Sequence, residues 1–236
     1  MAKFVSVKQE TLILDFSGAY RAAAFPHRLR AEGVVPKVLD LRAAEGTSCY
    51  CDDDGARAIR TSLAPFSPEG IHWLDSGDYH YATCFFVEKI DRPYTLLLLD
   101  HHSDCQPPSF PGVLSCGSWV AELLCTDPRL TGVISVGPEA EPRWLGAPDP
   151  AGSLYVSLDK DILSREWART NWDQGEWRLP DLLDTLAAYM DAAAEVIGID
   201  VCGECPPGKG AQPGDEIVNE NTNIEIQRFI KNYFKY

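Results

Sequence analysis

The chain has 236 residues, 45% of them hydrophobic and 24% charged, which suits one substantial folded core and excludes a disordered polymer. Its formal charge of -14 opposes binding to a phosphate backbone or an anionic lipid surface, so neither nucleic acid nor membrane is expected as a partner. No apolar stretch approaches the roughly 18 residues of a membrane span.

In chain order, apolar runs at residues 11–16, 37–41, 70–75, 95–99, 132–136, 153–158 and 196–201 are bounded by polar or turn residues, too short for helices, and predict strands. Helical spacing predicts helices at about 80–88, 116–125 and 180–195, with a last one near 218–234. Pro180 suits a first helical turn, and Asn219 or Asn221 is the expected cap of the last helix. Loops are expected over 45–68, 106–114, 137–152 and 206–214. Within the first, Asp52-Asp53-Asp54-Gly55 lacks the spaced ligands and closing glutamate of a calcium loop and reads as a solvated turn. Alternation of strand and helix predicts a three-layer α/β/α domain over residues 1–236, with a mainly parallel sheet and ligands bound beyond the carboxyl ends of its strands.

Two acidic motifs stand at such ends. The run Leu96 to Leu99 leads into Asp100-His101-His102-Ser103-Asp104, and Leu154 to Leu158 leads into Asp159-Lys160-Asp161. If the backbone stays extended, residues two apart share a face, so Asp100, His102 and Asp104 point one way and Asp159 and Asp161 form a matching pair. Two carboxylates about 4 Å apart repel by roughly 4 kcal/mol at an effective dielectric near 20. Four together are tolerable only with cations among them, and an oxygen-rich set with an imidazole or two suits Mn²⁺. The competing reading is strand-end polar residues facing solvent.

With a third segment, Gly77-Asp78-Tyr79-His80, the order of motifs resembles the ureohydrolase superfamily of arginase, agmatinase and formiminoglutamase. Those enzymes carry Gly-Asp-His, Asp-x-His-x-Asp and Ser-x-Asp-x-Asp segments in that order; here Tyr79 is inserted in the first. The resemblance implies an arginase-like fold and two Mn²⁺ ions bridged by a hydroxide, with Ni²⁺ or Zn²⁺ as substitutes. Carried over, His80, Asp104 and Asp161 hold one ion together with bridging Asp100. His102 holds the other with Asp100 and Asp159, and Asp159 or Asp161 also bridges. The implied reaction is hydrolysis of a C–N bond in a small guanidino or amidino compound, with Asp104 moving a proton and Glu204 gripping the cationic substrate. Trp167, Trp172 and Trp177, on a loop after the second motif, are candidate aromatic walls of the substrate site, Trp172 foremost, though core packing accounts for all three equally well; Asn171 and Asp173 are the polar candidates for substrate selection.

Two departures weaken the pocket. The family's Gly-Asn-x-His is replaced by Ser115-Cys116-Gly117-Ser118-Trp119-Val120, without a histidine, and His101 is expected to face away from the metals. The family's Asp-x-x-Glu becomes Asp200-Val201-Cys202-Gly203-Glu204, with the glutamate one position late. Alternatives are therefore a deacetylase-type amidohydrolase, whose neutral amide needs no acid in the pocket, and a non-catalytic metal-binding protein. Residues 1–5 lack the plan of a secretory leader, and the eight cysteines read as thiols of a reducing compartment, so a cytoplasmic location is expected. Cys49, Cys51, Cys202 and Cys205 resemble a zinc site only loosely, because the first pair is spaced too tightly. A homo-oligomer is compatible with the aromatic C-terminus.

Overall fold

Strands buried on both faces need apolar residues at every position, and the runs that lack polar alternation form the middle of the sheet. The computed structural model describes residues 10–22, 24–137 and 142–234; residues 1–5, and part of the 137–152 loop, lie outside them. The order is β1 (Thr11–Asp15), α1 (Ala19–Ala22), α2 (Phe25–Ala31), β2 (Lys37–Asp40), β3 (Tyr50–Cys51), α3 (Asp53–Leu63) and β4 (Gly70–Trp73). A 3₁₀ turn (Gly77–Ala82) then runs into α4 (Thr83–Val87), followed by β5 (Tyr94–Leu99), β6 (Leu114–Ser115), α5 (Trp119–Thr126), β7 (Leu130–Val136) and β8 (Arg143–Gly146). The chain closes with β9 (Ser153–Asp159), a second 3₁₀ turn (Lys160–Ile162), α6 (Leu179–Ala192), β10 (Glu195–Cys202) and α7 (Asp215–Tyr233).

Eight strands form one sheet in the order β2-β1-β4-β10-β9-β5-β7-β8. All neighbours pair in parallel except β8, which runs antiparallel to β7 at the edge. The two faces carry separate cores. Leu97, Leu99, Val156 and Leu158 pack with α2, α6 and α7, whereas Leu96, Leu98 and Tyr155 pack with α3, α4 and α5. This is the arginase-like three-layer architecture expected from the sequence.

Three local expectations are corrected. The stretch 45–68 is not all loop: α3 lies within it, with Ile59 and Leu63 buried one turn apart. The acidic run starts that helix, since Asp52 accepts the Gly55 amide at 2.8 Å and Asp53 and Asp54 face the positive end of its dipole. Helix α7 begins at Asp215, so Asn219 lies inside it and is buried rather than capping. Among the described residues, no helix is long and apolar enough to cross a membrane.

Candidate metal centre

The strand register brings the acidic motifs together. Leu99 is level with Leu158 on β9, and Asp159 is level with Cys202 on β10, so Asp100 and Asp159 emerge side by side at the carboxyl ends of three adjacent strands. His80 enters from the turn that follows β4, the next strand in the sheet. The residues named by the extended-chain argument do come together, but not because the chain stays extended. After Leu99 the backbone leaves the strand, Asp104 takes a left-handed conformation (φ 48°), and Asp159 caps the second 3₁₀ turn by accepting the Asp161 amide at 2.9 Å.

Ligand-type atoms gather in two regions, a deeper one around His80, made of the overlapping sets His80/Asp100/Asp104 and His80/Asp159/Cys202, and an outer one of Asp100, His102 and Asp161. In the deeper one, His80 Nδ1 lies 2.9 Å from Asp104 Oδ2, 3.2 Å from Asp100 Oδ2 and 3.8 Å from Asp159 Oδ2. In the outer one, His102 Nδ1 lies 2.8 Å from Asp161 Oδ2 and 3.7 Å from Asp100 Oδ1. Asp100 is common to both. The division expected from the resemblance is thereby exchanged: Asp159 stands with His80, and Asp161 with His102. The cause is local, because the 3₁₀ turn after β9 swings Asp161 toward the His101 amide, which it accepts at 3.1 Å.

The residues fit divalent cations. His80 Nε2 lies 2.7 Å from Ser157 Oγ, leaving Nδ1 aimed at carboxylate oxygens; Nδ1 and Asp100 Oδ2 are both buried without a hydrogen-bond partner. A lone pair facing carboxylates in a dry site is repulsive unless a proton or a cation sits between them. His102 Nε2 meets Asp173 Oδ1 at 3.1 Å, an outer carboxylate of the kind that orients a metal-binding imidazole.

Proton affinities follow the same geometry. Burial, then the charge of Asp100, pushes Asp104 up to about 6. Burial and neighbouring carboxylates raise Asp159 and Asp161 as well. Hydrogen bonds to Asp100 and Asp161 lift His102 to about 11. Burial works against the Asp100 charge, but contacts from His102 and His80 outweigh it and hold this acid below the ordinary range. A raised carboxyl binds its proton more tightly in the folded chain, so its contribution is lost as pH climbs from the unfolded toward the folded value; a raised imidazole loses its contribution over its own, higher window. Asp100, held below the ordinary carboxylate range, opposes this only in acid below that range. The metal-stripped chain is therefore expected to melt at a higher temperature near about pH 5 than near about pH 8, and divalent ions, which displace these protons, should flatten the difference. Melting curves of chelator-treated protein that rise steadily over that interval would contradict this.

A cavity of about 320 Å³ opens over the cluster, lined by Asp100, His102, Asp104, Asp159, Asp161 and Trp172 and by the segment Ser115 to Ser118. Trp172 is held by its indole N–H, which donates to Asp78 Oδ1 at 3.0 Å. The other expected substrate residues lie outside the lining. Asn171 donates to the same Asp78 oxygen at 2.9 Å, and Asp173 is on the exposed side of His102.

Glu204 is a clear correction. Its carboxylate is buried against Lys160 Nζ at 2.5 Å and accepts from Asn223 Nδ2 at 2.7 Å and Asn219 Nδ2 at 3.1 Å, so it is spent on the interior. The position where the family's glutamate would fall is Gly203, where a Cβ would stand 2.5 Å from Asp159 Oδ1. His101 Nε2 lies 3.7 Å from Asp173, and the only histidine lining the cavity among the described residues is His102. Asp200 is bonded through Oδ1 to His72 and Tyr155 within the sheet, away from the cluster, and its Oδ2 is buried without a hydrogen-bond partner. Among the described residues, no metal-sized group holds more than one cysteine. Sequence reasoning gave no contact with the cluster to two residues that make one. Trp119 donates to Asp104 at 2.6 Å, and Cys202 donates to Asp159 at 3.0 Å. Register at the end of β10 was the signal for the second.

The eight-stranded, mainly parallel sheet with helices on both faces is an arginase-like fold, and solved structures share it. A hypothetical agmatinase from Burkholderia thailandensis superposes with a TM-score of 0.62 at 15% identity over 96% of this chain and 87% of that one. Formimidoylglutamase from Bacillus subtilis gives 0.63 at 13% identity, over 94% and 86%. A Mn²⁺-bound triple mutant of an arginase-like protein from T. brucei gives 0.58 at 17% identity, over 94% and 90%. In sequence, the chain is 29% identical over 214 residues to an uncharacterised protein of Thermotoga maritima, covering 83% of this chain and 80% of that protein. No protein-family model matches.

Proposed function

We propose that this chain is a divergent ureohydrolase-type enzyme that hydrolyses a C–N bond of a guanidino or amidino compound with two divalent ions, Mn²⁺ foremost. The observation that carries the proposal is the pair of ligand groups sharing Asp100, with the unpartnered His80 Nδ1 between carboxylates. His80, Asp100, Asp104 and Asp159 would hold one ion, and His102, Asp100 and Asp161 the other. When bound, such ions would acidify water and neutralise charge that develops on the substrate.

The chain supplies the rest. Trp119 fixes Asp104, the carboxylate that would take and return a proton beside the ions. Trp172, anchored by Asp78, presents an aromatic wall on which a planar cation can rest. Ser115 and Ser118, whose hydroxyls bond each other at 2.6 Å, also line the cavity. The withdrawal of Glu204 favours a second reading, a neutral amide substrate, because no carboxylate outside the cluster lines the cavity among the described residues.

An ammonia-, urea- and amine-release screen over guanidino acids, amidines and acylated amines, with Mn²⁺, Ni²⁺ and Zn²⁺ in turn, tests both. Turnover of a guanidino or amidino compound is expected with Mn²⁺, and turnover confined to neutral amides would replace the first reading by the second. Silence across the panel with metal bound would leave a non-catalytic metal-binding protein.

A further inference from the structure

Strand β10 ends on a side chain that the proposal above leaves unused. Cys202 is 1% exposed and level with Asp159 in the sheet. The turn that follows is made by Gly203 at φ 95°, and its missing side chain lets the end of β10 close against Asp159 and the Lys160 amide. The thiol, a ring nitrogen of His80 and a carboxylate oxygen of Asp159 consequently lie within 4.8 Å of one another. An independent observation points to a ligand at this place. The His80 ring is buried, Ser157 holds its Nε2, and its Nδ1, 3.8 Å from the Asp159 Oδ2 that the thiol also meets, has no hydrogen-bond partner.

We infer that Cys202 is a thiolate ligand of the deeper cation, which makes that position a nitrogen, oxygen and sulfur site for a borderline metal such as Zn²⁺ rather than a second Mn²⁺. The inference rests on the reading that the cluster holds cations. Its physical basis is the difference between the two groups. The outer one offers two carboxylates and one imidazole and suits a hard ion. The deeper one adds a polarisable sulfur, which binds Zn²⁺, Co²⁺ or Fe²⁺ more tightly than it binds Mn²⁺. On loading, the S–H bond breaks, its electron pair goes to the cation, and the proton leaves to water. A thiol that only donated to Asp159 would be replaced without consequence by serine, which donates the same hydrogen bond.

The test uses the full chain, stripped of metal and alkylated at its accessible thiols, a treatment that spares buried Cys202. Co²⁺ added to the wild type is expected to give an intense near-ultraviolet sulfur-to-cobalt charge-transfer band, absent from Cys202→Ser. Zn²⁺ affinity of that variant is expected to fall about tenfold or more while Mn²⁺ affinity holds. X-ray absorption on the Zn²⁺-loaded wild type needs no variant, and is expected to show one sulfur at about 2.3 Å beside lighter ligands at about 2.0–2.2 Å. Bound metal with only nitrogen and oxygen neighbours, or a charge-transfer band that survives Cys202→Ser, would overturn the thiolate and leave the cation site standing. A wild type that takes up no metal would overturn both.

Discussion

Asp100→Asn is expected to release both divalent ions, whereas Asp104→Asn and Asp161→Asn should each release one. The asymmetry comes from the geometry, because Asp100 is shared by the His80 group and the His102 group, while Asp104 belongs to the first alone and Asp161 to the second alone. Removing an outer carboxylate that merely orients a ligand already weakens metal binding about 10- to 100-fold, so loss of a shared ligand should reach at least the upper end of that range. Turnover, where the screen finds it, should fall about a hundred- to a thousand-fold, the scale set by removing one preorganised stabiliser of transition-state charge. Elemental analysis and titration calorimetry read the stoichiometry. Three variants that lose metal to the same degree would argue for one merged site instead of two groups with a common carboxylate. Folding can be separated from metal loss with Asp161→Asn. Its acid is pushed up by burial, so a neutral amide costs the metal-free chain little, and that variant should melt no lower than metal-free wild type.

Much of this centre was legible in the sequence because it depends on strand ends. Uninterrupted apolar runs such as Leu96 to Leu99 and Leu154 to Leu158 identify strands covered on both faces, and the first acid after each run must emerge at the carboxyl edge. What lies beyond that edge is governed by short-range turns that carry no periodicity. The left-handed backbone at Asp104 and the 3₁₀ turn after Asp159 decide which aspartate meets which histidine, and neither follows from a count of residues. Helix α3 escaped notice because its buried stripe is little more than Ile59 and Leu63, and its acidic start reads as a solvated turn unless Asp52 is recognised as a cap. Edge strand β8 is similarly thin, four residues with Trp144 exposed, and it is held by pairing to β7 rather than by any pattern of its own. Glu204 could not have been assigned from sequence at all. Its fate is set by Lys160, Asn219 and Asn223, which reach it from a different turn and from helix α7.

Lys160→Met is expected to destabilise the fold by about 3–5 kcal/mol, the cost of leaving a buried charge without its partner. Lys160 is fully buried between the two aspartates of its motif, and its ammonium reaches Glu204 at 2.5 Å and Asn223 Oδ1 at 2.7 Å. With the cation gone, Glu204 keeps only the amides of Asn219 and Asn223 in an environment closed to water. For a chain of this length the loss corresponds to a drop in melting temperature of roughly 6–20 °C. Neutralising both partners removes the uncompensated charge, so Lys160→Met combined with Glu204→Gln should recover most of what the single change loses, and the coupling between the two sites should be large and favourable. The same pair decides the role of the glutamate. An acid that gripped a cationic substrate would, as Glu204→Gln, raise KM in a protein of unchanged stability. The geometry calls for the opposite result, a lower melting temperature with KM unmoved in whatever activity remains. A Glu204→Gln protein that melts like the wild type but binds substrate poorly would return this carboxylate to the pocket.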